Sequence, residues 1–156
     1  MTEKLLQALR QSKPFTSLEQ EVHVNILVTA EALQRPFAEF LRAHDLSPTQ
    51  YNILRILRGA GRRGLSCTEV GQRLITRVPD ITRLLDRLEA RDLICRERDT
   101  EDRRVIHVHI TEEGLRVLGP LDEPIHELHR RQLEHMGPAR LRQLSRLLDL
   151  AREGGN

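Results

Sequence analysis

The sequence predicts a mainly α fold with a small β element. Leu, Val and Ile supply most of the large apolar side chains, whereas aromatic residues, which favour strands, make up only 3% of the chain. Apolar residues recur at helical spacing in several segments, but only two segments alternate apolar and polar residues as strands do. With 156 residues, the chain has the size of one ordinary globular domain with an appended element.

Composition and charge narrow the class of protein. The formal net charge of +2 does not by itself indicate a nucleic-acid partner. Lysine occurs only at Lys4 and Lys13; arginine, which supplies every other basic side chain, suits phosphate oxygens and guanine edges, although a GC-rich genome would produce the same bias. Cys67 and Cys95 form neither a metal-type pair nor a disulfide framework, and no apolar run reaches the length of a membrane span. We therefore expect a protein of the reducing cytoplasm.

Two helices are expected at the start of the chain. Glu3 to Arg10 has the pattern of a short helix, closed by the turn-like sequence Ser12-Lys13-Pro14. From Ser17 to His44, apolar residues recur close to every 3.6 residues, which predicts one long amphipathic helix. Pro36 lies inside this segment and lacks a backbone N–H, so we predict a kink or a break there.

The next segment predicts a helix, a short strand and a second, brief helix. Ser47 and Pro48 are typical of a helix start, and that helix ends at Gly59 and Gly61. After a short strand at Leu65, a capping box of Ser66 and Glu69 begins a brief helix that runs through Leu74.

A further helix is expected to begin at Thr76 or Val78 and to continue to about Arg91. Pro79 is tolerated in its first turn, where backbone amides have no partner within the helix. The buried stripe consists of Ile81, Leu84, Leu85 and Leu88. The outward residues are Arg77, Asp80, Thr82, Arg83, Asp86 and Arg87. This outer face is polar and rich in arginine.

The two convincing strands are Leu93 to Arg98 and Val105 to Thr111. A charged hairpin tip, residues 99–104, connects them. Thr111 then begins a helix, which Pro120 and Pro124 interrupt before an arm through Met136. Gly137 and Pro138 break the chain, and the last helix carries Leu141, Leu144, Leu147, Leu148 and Ala151.

This order of elements describes a winged helix-turn-helix lobe. Two short helices joined by a tight turn, the second with a polar outer face, precede a charged two-stranded hairpin. The major groove of B-DNA, about 12 Å wide, admits one helix, while a hairpin can reach the flanking minor groove. The sequence therefore predicts that the helix from Val78 to Arg91 reads DNA and that the hairpin forms the wing.

Four stretches resemble the MarR family of transcriptional regulators. They are LSPTQY from Leu46, ITRLLDRLE from Ile81, DTEDRR from Asp99 and TEEG from Thr111. The resemblance covers roughly residues 17–152 in element order. Its most specific part is the Asp-x-x-Asp-Arg-Arg pattern of the wing, preceded at family spacing by the helix containing Thr-Arg-Leu-x-Asp-Arg-Leu.

The resemblance implies a homodimer. Residues 1–45 and 112–156 would then form a helical dimerisation region of N- and C-terminal helices, and residues 46–111 the DNA-binding domain. The leucines of the last helix would be buried against the partner, because without one so many apolar residues are hard to cover. The alternative is a core helix within a single chain.

The resemblance also implies a DNA interface. In similar proteins an arginine of the wing tip enters the minor groove beside an acidic residue, which here matches Arg103 or Arg104 with Asp99 or Asp102. From the residues themselves, candidates for major-groove and phosphate contacts are Arg77, Thr82, Arg83 and Arg87. Any one of these could instead form a surface salt bridge, for example Arg83 with Asp86. Asp80 departs from the Ser or Thr common at this place in the family. A carboxylate near phosphates is unfavourable unless it accepts from cytosine or restrains an arginine, and the alternative is that Asp80 favours the positive helix N-terminus.

A repressor released from a palindromic operator by a small molecule is the function that the resemblance implies. The family commonly binds phenolic or other aromatic acids where the long helix meets the DNA-binding lobe. The candidate pocket residues, several of which also fit a plain core, are Val28, Leu33, Phe37, Phe40, Tyr51 and Leu54.

Two other modes of regulation stay open. Cys67 lies near a helix N-terminus, which can lower a thiol pKa, but the redox-sensing relatives carry their cysteine on the first long helix, which has none here. His126 and His129 share one helical face, and with His135, His23 and His44 they could suit zinc; no cysteine or dense carboxylate set accompanies them. We expect no metal site.

Two other classes of function are disfavoured by the sequence. An enzyme is not expected, because no nucleophile, base and orienting residue fall at recognisable spacing, and no glycine loop that would cradle a phosphate or cofactor is present. A winged helix that binds protein instead of DNA is disfavoured by the arginine-rich face.

Overall fold

The computed structural model describes residues 3–100, 102 and 104–154. The helices within these residues are α1 (Glu3–Leu9), α2 (Leu18–Arg42), α3 (Pro48–Ala60), α4 (Cys67–Arg73), α5 (Ile81–Glu89), α6 (Glu112–Leu118), α7 (Asp122–Leu133) and α8 (Gly137–Glu153). The strands are β1 (Leu65–Ser66), β2 (Ile94–Arg98) and β3 (Ile106–Ile110). The predicted mainly α fold with a small β wing is therefore confirmed. None of the helices in the described residues is long and apolar enough to cross a bilayer.

The long helix α2 runs without interruption from Leu18 to Arg42, so of the predicted kink or break at Pro36 the break is wrong, and the kink stays a prediction. Proline removes a single backbone donor, and the rest of this 25-residue helix keeps its hydrogen bonds. One turn before it, the Leu33 carbonyl also accepts a hydrogen bond of 3.0 Å from Gln132 Nε2 of α7. A hydrogen bond from α7 thus supports α2 one turn before Pro36.

Local capping signals begin α3 and α4 as predicted. The Ser47 hydroxyl accepts from Gln50 N and the Gln50 side chain accepts from Ser47 N, which forms a reciprocal capping box. Ser66 and Glu69 repeat this arrangement at α4. Gly61, at φ +59°, ends α3, as glycine does where the backbone turns left-handed.

Helix α5 begins later than predicted. The first helical residue is Ile81, and the segment from Thr76 to Pro79 is a loop. Proline disfavours helical backbone at the preceding residue, which keeps Val78 outside the helix. Asp80 then caps the helix, because its Oδ1 accepts a hydrogen bond of 3.0 Å from Arg83 N.

The sheet has three antiparallel strands in the order β1-β3-β2, so the short strand at Leu65 extends the predicted hairpin. Val108 is the central residue: it lies opposite Leu65 on one side and Arg96 on the other, and it is fully buried. The strand β1 therefore attaches the wing to the helical part of the lobe.

One apolar core joins α3, α4, α5 and α6 to the sheet. Its fully buried large side chains are Leu41, Ile53, Leu54, Leu57, Leu65, Val70, Leu85, Leu88, Ile94, Val108 and Leu118. Helix α8 lies outside this core, and of its residues, all within the described part of the chain, none is buried. The apolar side chains of α8 are thus left for another surface.

Candidate nucleic-acid interface

Helix α5 presents two different faces. Leu85 and Leu88 are fully buried on the inner face, and their packing fixes the helix against the sheet. The outer face carries the exposed side chains of Thr82, Arg83 and Arg87. The predicted polar, arginine-rich outer surface is therefore present.

The guanidinium groups of α5 are available to a ligand. Among the described residues, no carboxylate oxygen lies within 4.0 Å of the side-chain nitrogens of Arg83 or Arg87. The surface salt bridge considered for Arg83 with Asp86 is not formed, because Asp86 pairs with Arg96. Arg77 is also exposed, but it lies in the loop before α5 and not on the helix as predicted.

Asp80 has a local role. Its carboxylate accepts a hydrogen bond from Arg83 N at the positive end of the helix dipole. This agrees with the reading of Asp80 as a residue that favours the helix N-terminus.

The wing comprises β2, β3 and the connecting residues 99–105. Asp99 organises its turn: Oδ1 accepts a hydrogen bond of 2.8 Å from Asp102 N, and Oδ2 lies 3.1 Å from His107 Nε2. Asp102 Oδ1 in turn accepts from Arg104 N at 3.0 Å. Both predicted acids therefore fold the tip, and Arg104 projects from it as an exposed side chain. Arg103, the other predicted wing arginine, lies outside the described residues.

A glycine and a histidine fit together at the base of the wing. Gly64 has φ +63°, and a Cβ atom there would overlap the imidazole of His109. The His109 side chain, opposite Cys95 on the sheet, thus packs directly over backbone that only glycine accommodates easily. The packing holds the loop before β1 against β3.

Arg96 is a residue that the sequence reasoning did not single out. From β2, its Nη1 lies 2.8 Å from Asp86 Oδ1 and 2.7 Å from Glu89 Oε2, both on α5. Its side chain is only 20% exposed. Despite burial, the two carboxylates raise the pKa of Arg96 above its ordinary value. The available signal was its register: Arg96 alternates with buried Ile94, so a charge there must meet a partner.

A cavity of about 540 Å³ lies between the long helix and the lobe. Helices α2, α3 and α7 and residues 74–76 form its walls. Three predicted pocket residues line it, namely Leu33, Phe37 and Tyr51. Phe37 makes an edge contact with Tyr51, with ring centroids 5.5 Å apart.

The other predicted pocket residues lie elsewhere. Leu54 is fully buried in the core, and the Phe40 ring packs on His44 with centroids 4.8 Å apart. Val28 is partly buried on α2, less than one turn before Ala30, where the cavity wall begins. The periodicity of the sequence identified these apolar side chains but did not show which of them border open space.

A second cavity, of about 730 Å³, adjoins the first across Tyr51. Its wall contains a two-pronged ion pair, in which Arg58 Nη1 and Nη2 lie 2.7 and 2.9 Å from the Asp122 carboxylate oxygens. Arg58 thereby lowers the pKa of Asp122. Burial, the largest influence, raises the pKa of Tyr51. Arg55 also borders both cavities, with its guanidinium carbon 5.8 Å from the Tyr51 ring centre.

The cysteines and the candidate histidines do not gather into a ligand set among the described residues. Cys67 and Cys95 are free thiols, both partly buried, and burial raises the pKa of Cys95. His129 packs on Phe37, with ring centroids 5.6 Å apart, instead of converging with other ligands. Within the described part of the chain, no group of three or more His, Cys, Asp or Glu side chains is placed to hold a metal ion.

Comparison with known proteins places these features in context. The MarR family model matches residues 46–106, which include α3 to the first residue of β3. A MarR transcription factor from Planctomyces limnophilus is 39% identical, with a TM-score of 0.66 over 88% of this chain and 99% of that one. S. aureus MepR, solved in a complex with DNA, is 19% identical and shares the fold, with a TM-score of 0.76 over 90% and 99% of the two chains.

A relative of known sequence is longer than this chain. The HTH-type transcriptional regulator TtmR of Methylorubrum extorquens is 33% identical over 106 residues, which are 68% of this chain and 53% of TtmR. The match thus spans about half the length of that relative.

Proposed function

This chain belongs to the MarR family of DNA-binding transcriptional regulators, and on that premise we propose that it is a homodimeric repressor that a small ligand releases from a palindromic operator. The observation that carries the proposal is the pair of guanidinium groups on α5, which have no carboxylate partner among the described residues and lie on the same lobe as an ordered wing. Membership of a family of regulators agrees with the expectation that the chain is not an enzyme.

We propose that α5 enters the major groove. Arg83 and Arg87 are one turn apart on its exposed face, so both can reach the same stretch of DNA. An arginine fork matches the O6 and N7 atoms of guanine or a phosphate. Thr82 would contribute a hydroxyl beside them, and Arg77 a phosphate contact from the preceding loop.

The wing would contact the flanking minor groove. Arg104 is exposed at the tip, and the hydrogen bonds among Asp99, Asp102 and the backbone order the turn that bears it. Arg103 stays a predicted contact on the strength of its place in the wing motif. In this proposal Asp99 and Asp102 act by shaping the tip, since a carboxylate on its own repels phosphate.

The homodimer is supported by apolar side chains that the single chain leaves uncovered. Leu18 and Leu27 of α2 are 70% and 56% exposed, and Leu147 and Leu150 of α8 are 55% and 63% exposed. Large apolar surfaces of this kind mark protein interfaces. We therefore assign α1, α2, α7 and α8, within the predicted residues 1–45 and 112–156, to a dimerisation region and residues 46–111 to the DNA-binding domain; α6, also in the predicted range, packs into the core of the lobe instead.

Dimerisation would set the spacing of the two copies of α5. Successive major grooves on one face of B-DNA are about 34 Å apart, so a symmetric dimer reads a palindrome when its helices have that spacing. A dimer bound over a promoter would exclude the transcription machinery, which is why we propose repression.

The cavity between α2 and the lobe would receive the ligand. Phe37 and Tyr51 supply aromatic walls, and Arg55 supplies a cation, which together suit a small aromatic or phenolic acid. Asn52 Oδ1, on the same wall, accepts a hydrogen bond of 3.1 Å from Ile75 N in the loop leading to α5. A ligand that displaced this loop would shift α5 and change the spacing.

The test is DNA binding by matched arginine variants. A duplex would first be selected from a random-sequence library with the wild-type protein, and binding then titrated at two salt concentrations. We expect Arg83→Ala/Arg87→Ala and Arg103→Ala/Arg104→Ala each to weaken binding at least about tenfold and to reduce its salt dependence. Arg116→Ala on α6, outside both proposed surfaces, removes an exposed arginine and should bind normally.

The outcomes separate the alternatives. Normal binding by both interface pairs would place the DNA on another surface. Failure of the wild-type chain to select any duplex would favour the protein-binding winged helix. A rise in melting temperature with aromatic carboxylates, absent in Arg55→Ala, would support the ligand cavity.

A further inference from the structure

We propose that Arg96 is a positioning residue for DNA recognition, which locks the outer face of α5 to the wing so that both elements meet DNA as one rigid unit. The inference rests on the proposed contact of α5 with DNA. Arg96 does not itself face the ligand surface, because it projects from the core side of β2, opposite Val108.

The contacts of Arg96 extend along two turns of α5. Its Nη1 is shared between Asp86 Oδ1 at 2.8 Å and Glu89 Oε2 at 2.7 Å, and Nη2 makes a longer contact of 3.4 Å with the Thr82 carbonyl. These three residues span most of a nine-residue helix. The Arg96 side chain of the wing thus contacts α5 along nearly its full length.

These polar contacts matter because α5 is otherwise held against the lobe by apolar packing. Leu85 and Leu88 are fully buried, and Ile81 and Leu84 pack against the core while partly buried. Apolar packing is not directional, whereas the charge-assisted hydrogen bonds of Arg96 also fix the rotation of the helix about its axis. Asp86 lies beside Arg87 on the outer face. A rotation of α5 that broke the contact of Asp86 with Arg96 would therefore also change the direction in which Arg87 points, and Arg87 is proposed to reach the bases.

Arg96 also neutralises acidic groups near the DNA. Asp86 is 57% exposed and Glu89 39% exposed, so both carboxylates would repel an approaching phosphate backbone. Their shared guanidinium, a poorly exposed cation with charge-assisted hydrogen bonds, stays in place at high salt better than a surface pair would. Position and charge compensation therefore come from the same side chain.

Charge and position can be separated by removing the carboxylates instead of the arginine. Asp86→Ala/Glu89→Ala deletes two negative charges and raises helix propensity, so electrostatics alone predicts tighter DNA binding. If Arg96 instead acts by positioning α5, the same variant loses the two ion pairs that hold the helix and binds the selected duplex more weakly. The two explanations therefore predict changes of opposite sign.

The experiment compares four proteins, each confirmed folded by circular dichroism and titrated well below its melting temperature. They are the wild type, Arg96→Met, Asp86→Ala/Glu89→Ala and the triple combination. We expect Arg96→Met and Asp86→Ala/Glu89→Ala each to lower the affinity for the selected duplex about tenfold. The triple variant should bind no more weakly than either of them, because all three variants remove the same ion-pair interaction. Affinity for an unrelated duplex should fall less, so the ratio of specific to non-specific binding should drop.

Two control variants test whether the change in DNA affinity depends on the contacts of Arg96 with α5. Arg116→Met breaks an exposed pair with Glu113 on α6, 2.8 Å long, and should leave DNA binding unchanged. Arg96→Lys keeps the charge without the fork and should recover only part of the affinity. Wild-type or tighter binding by Asp86→Ala/Glu89→Ala would overturn the proposal, as would losses that add in the triple variant. Loss of binding in Arg83→Ala/Arg87→Ala, measured alongside, shows that α5 is the reader whatever the outcome for Arg96.

Discussion

The Nε2 atom of His107 lies 3.1 Å from Oδ2 of Asp99, so the start of β3 is connected directly to the residue at which the wing turn begins. The other carboxylate oxygen of Asp99 accepts from Asp102 N. One side chain therefore ties both sides of the turn, and the shape of the tip depends on it.

The first prediction concerns this carboxylate. Asp99→Ala removes these contacts, and we expect DNA affinity to fall about tenfold, because a tip that is no longer ordered in the free protein must be ordered on binding. The melting temperature should change little, since the turn lies outside the apolar core. Thr100→Ala, on the same exposed turn, is the control for DNA titration and thermal unfolding. Undiminished DNA binding by Asp99→Ala would show that recognition does not need an ordered wing.

The second prediction concerns Gly64. Alanine at φ +63° would be strained and would overlap the His109 ring, so we expect Gly64→Ala to destabilise the fold by about 1–3 kcal/mol in urea unfolding. Adding His109→Ala should recover part of the loss, because it relieves the overlap but not the backbone strain. Gly59→Ala, at a helical position with open space around it, should instead be neutral or stabilise by up to about 1 kcal/mol. Equal effects at the two glycines would contradict the packing described here.

The third prediction concerns the exposed leucines of α8. Leu147→Asp/Leu150→Asp places charges on side chains proposed to be buried against a partner, and we expect sedimentation velocity to show a monomer where the wild type is a dimer. Leu115→Asp, at a leucine of α6 that is 43% exposed, should stay dimeric. A wild-type monomer, or an unaffected dimer in the α8 variant, would rule out this interface.

The fourth prediction concerns acid stability. Hydrogen bonds from Arg130 and Arg131 lower the pKa of Glu127 to about 2, below the value of about 4.3 expected in the unfolded chain. A carboxyl whose pKa is lowered by folding stabilises the protein above its unfolded pKa, and that stabilisation disappears as pH falls towards about 2. Glu127→Gln should therefore melt slightly earlier than wild type near neutral pH, and the difference should vanish by about pH 2. Glu39→Gln on α2 serves as the exposed control. A melting-temperature difference between Glu127→Gln and wild type that did not change with pH would contradict the lowered pKa of Glu127.

The fifth prediction concerns thiol reactivity. Burial, with help from Glu97 and Glu89, raises the pKa of Cys95, so less of the reactive thiolate is present near neutral pH. In Cys67→Ser, where Cys95 is the remaining cysteine, alkylation by iodoacetamide should be slower in the native protein than in urea. The matching Cys95→Ser protein measures Cys67. Faster alkylation of native Cys95 would favour the redox-responsive alternative.

Much of the fold follows from local signals. The caps at Ser47 and Ser66 act on amides three residues away, so the starts of α3 and α4 could be predicted from their immediate neighbours. The alternation in β3 and the helical period of α2 are also local patterns, and both elements form within a few residues of the predicted bounds.

The start of α5 shows the limit of such patterns. The apolar spacing continues upstream of Ile81, but Pro79 and the Asp80 cap start the helix at Ile81. The loop before them is held by Asn52, which accepts from Ile75 N and lies far from it in the chain.

The same distinction between local signals and distant contacts applies to the candidate site. Which side chains are exposed on α5 follows from its helical period, which is why Arg83 and Arg87 could be chosen from the sequence alone. Their freedom to bind depends on Arg96, ten or so residues further on, which takes Asp86 away from Arg83. Likewise, periodicity marked Phe37 and Leu54 as apolar, but the packing of α2, α3 and α7 placed one at a cavity and the other in the core. Periodicity and capping are properties of neighbouring residues, whereas ion pairs and cavities arise only when distant segments are brought into contact.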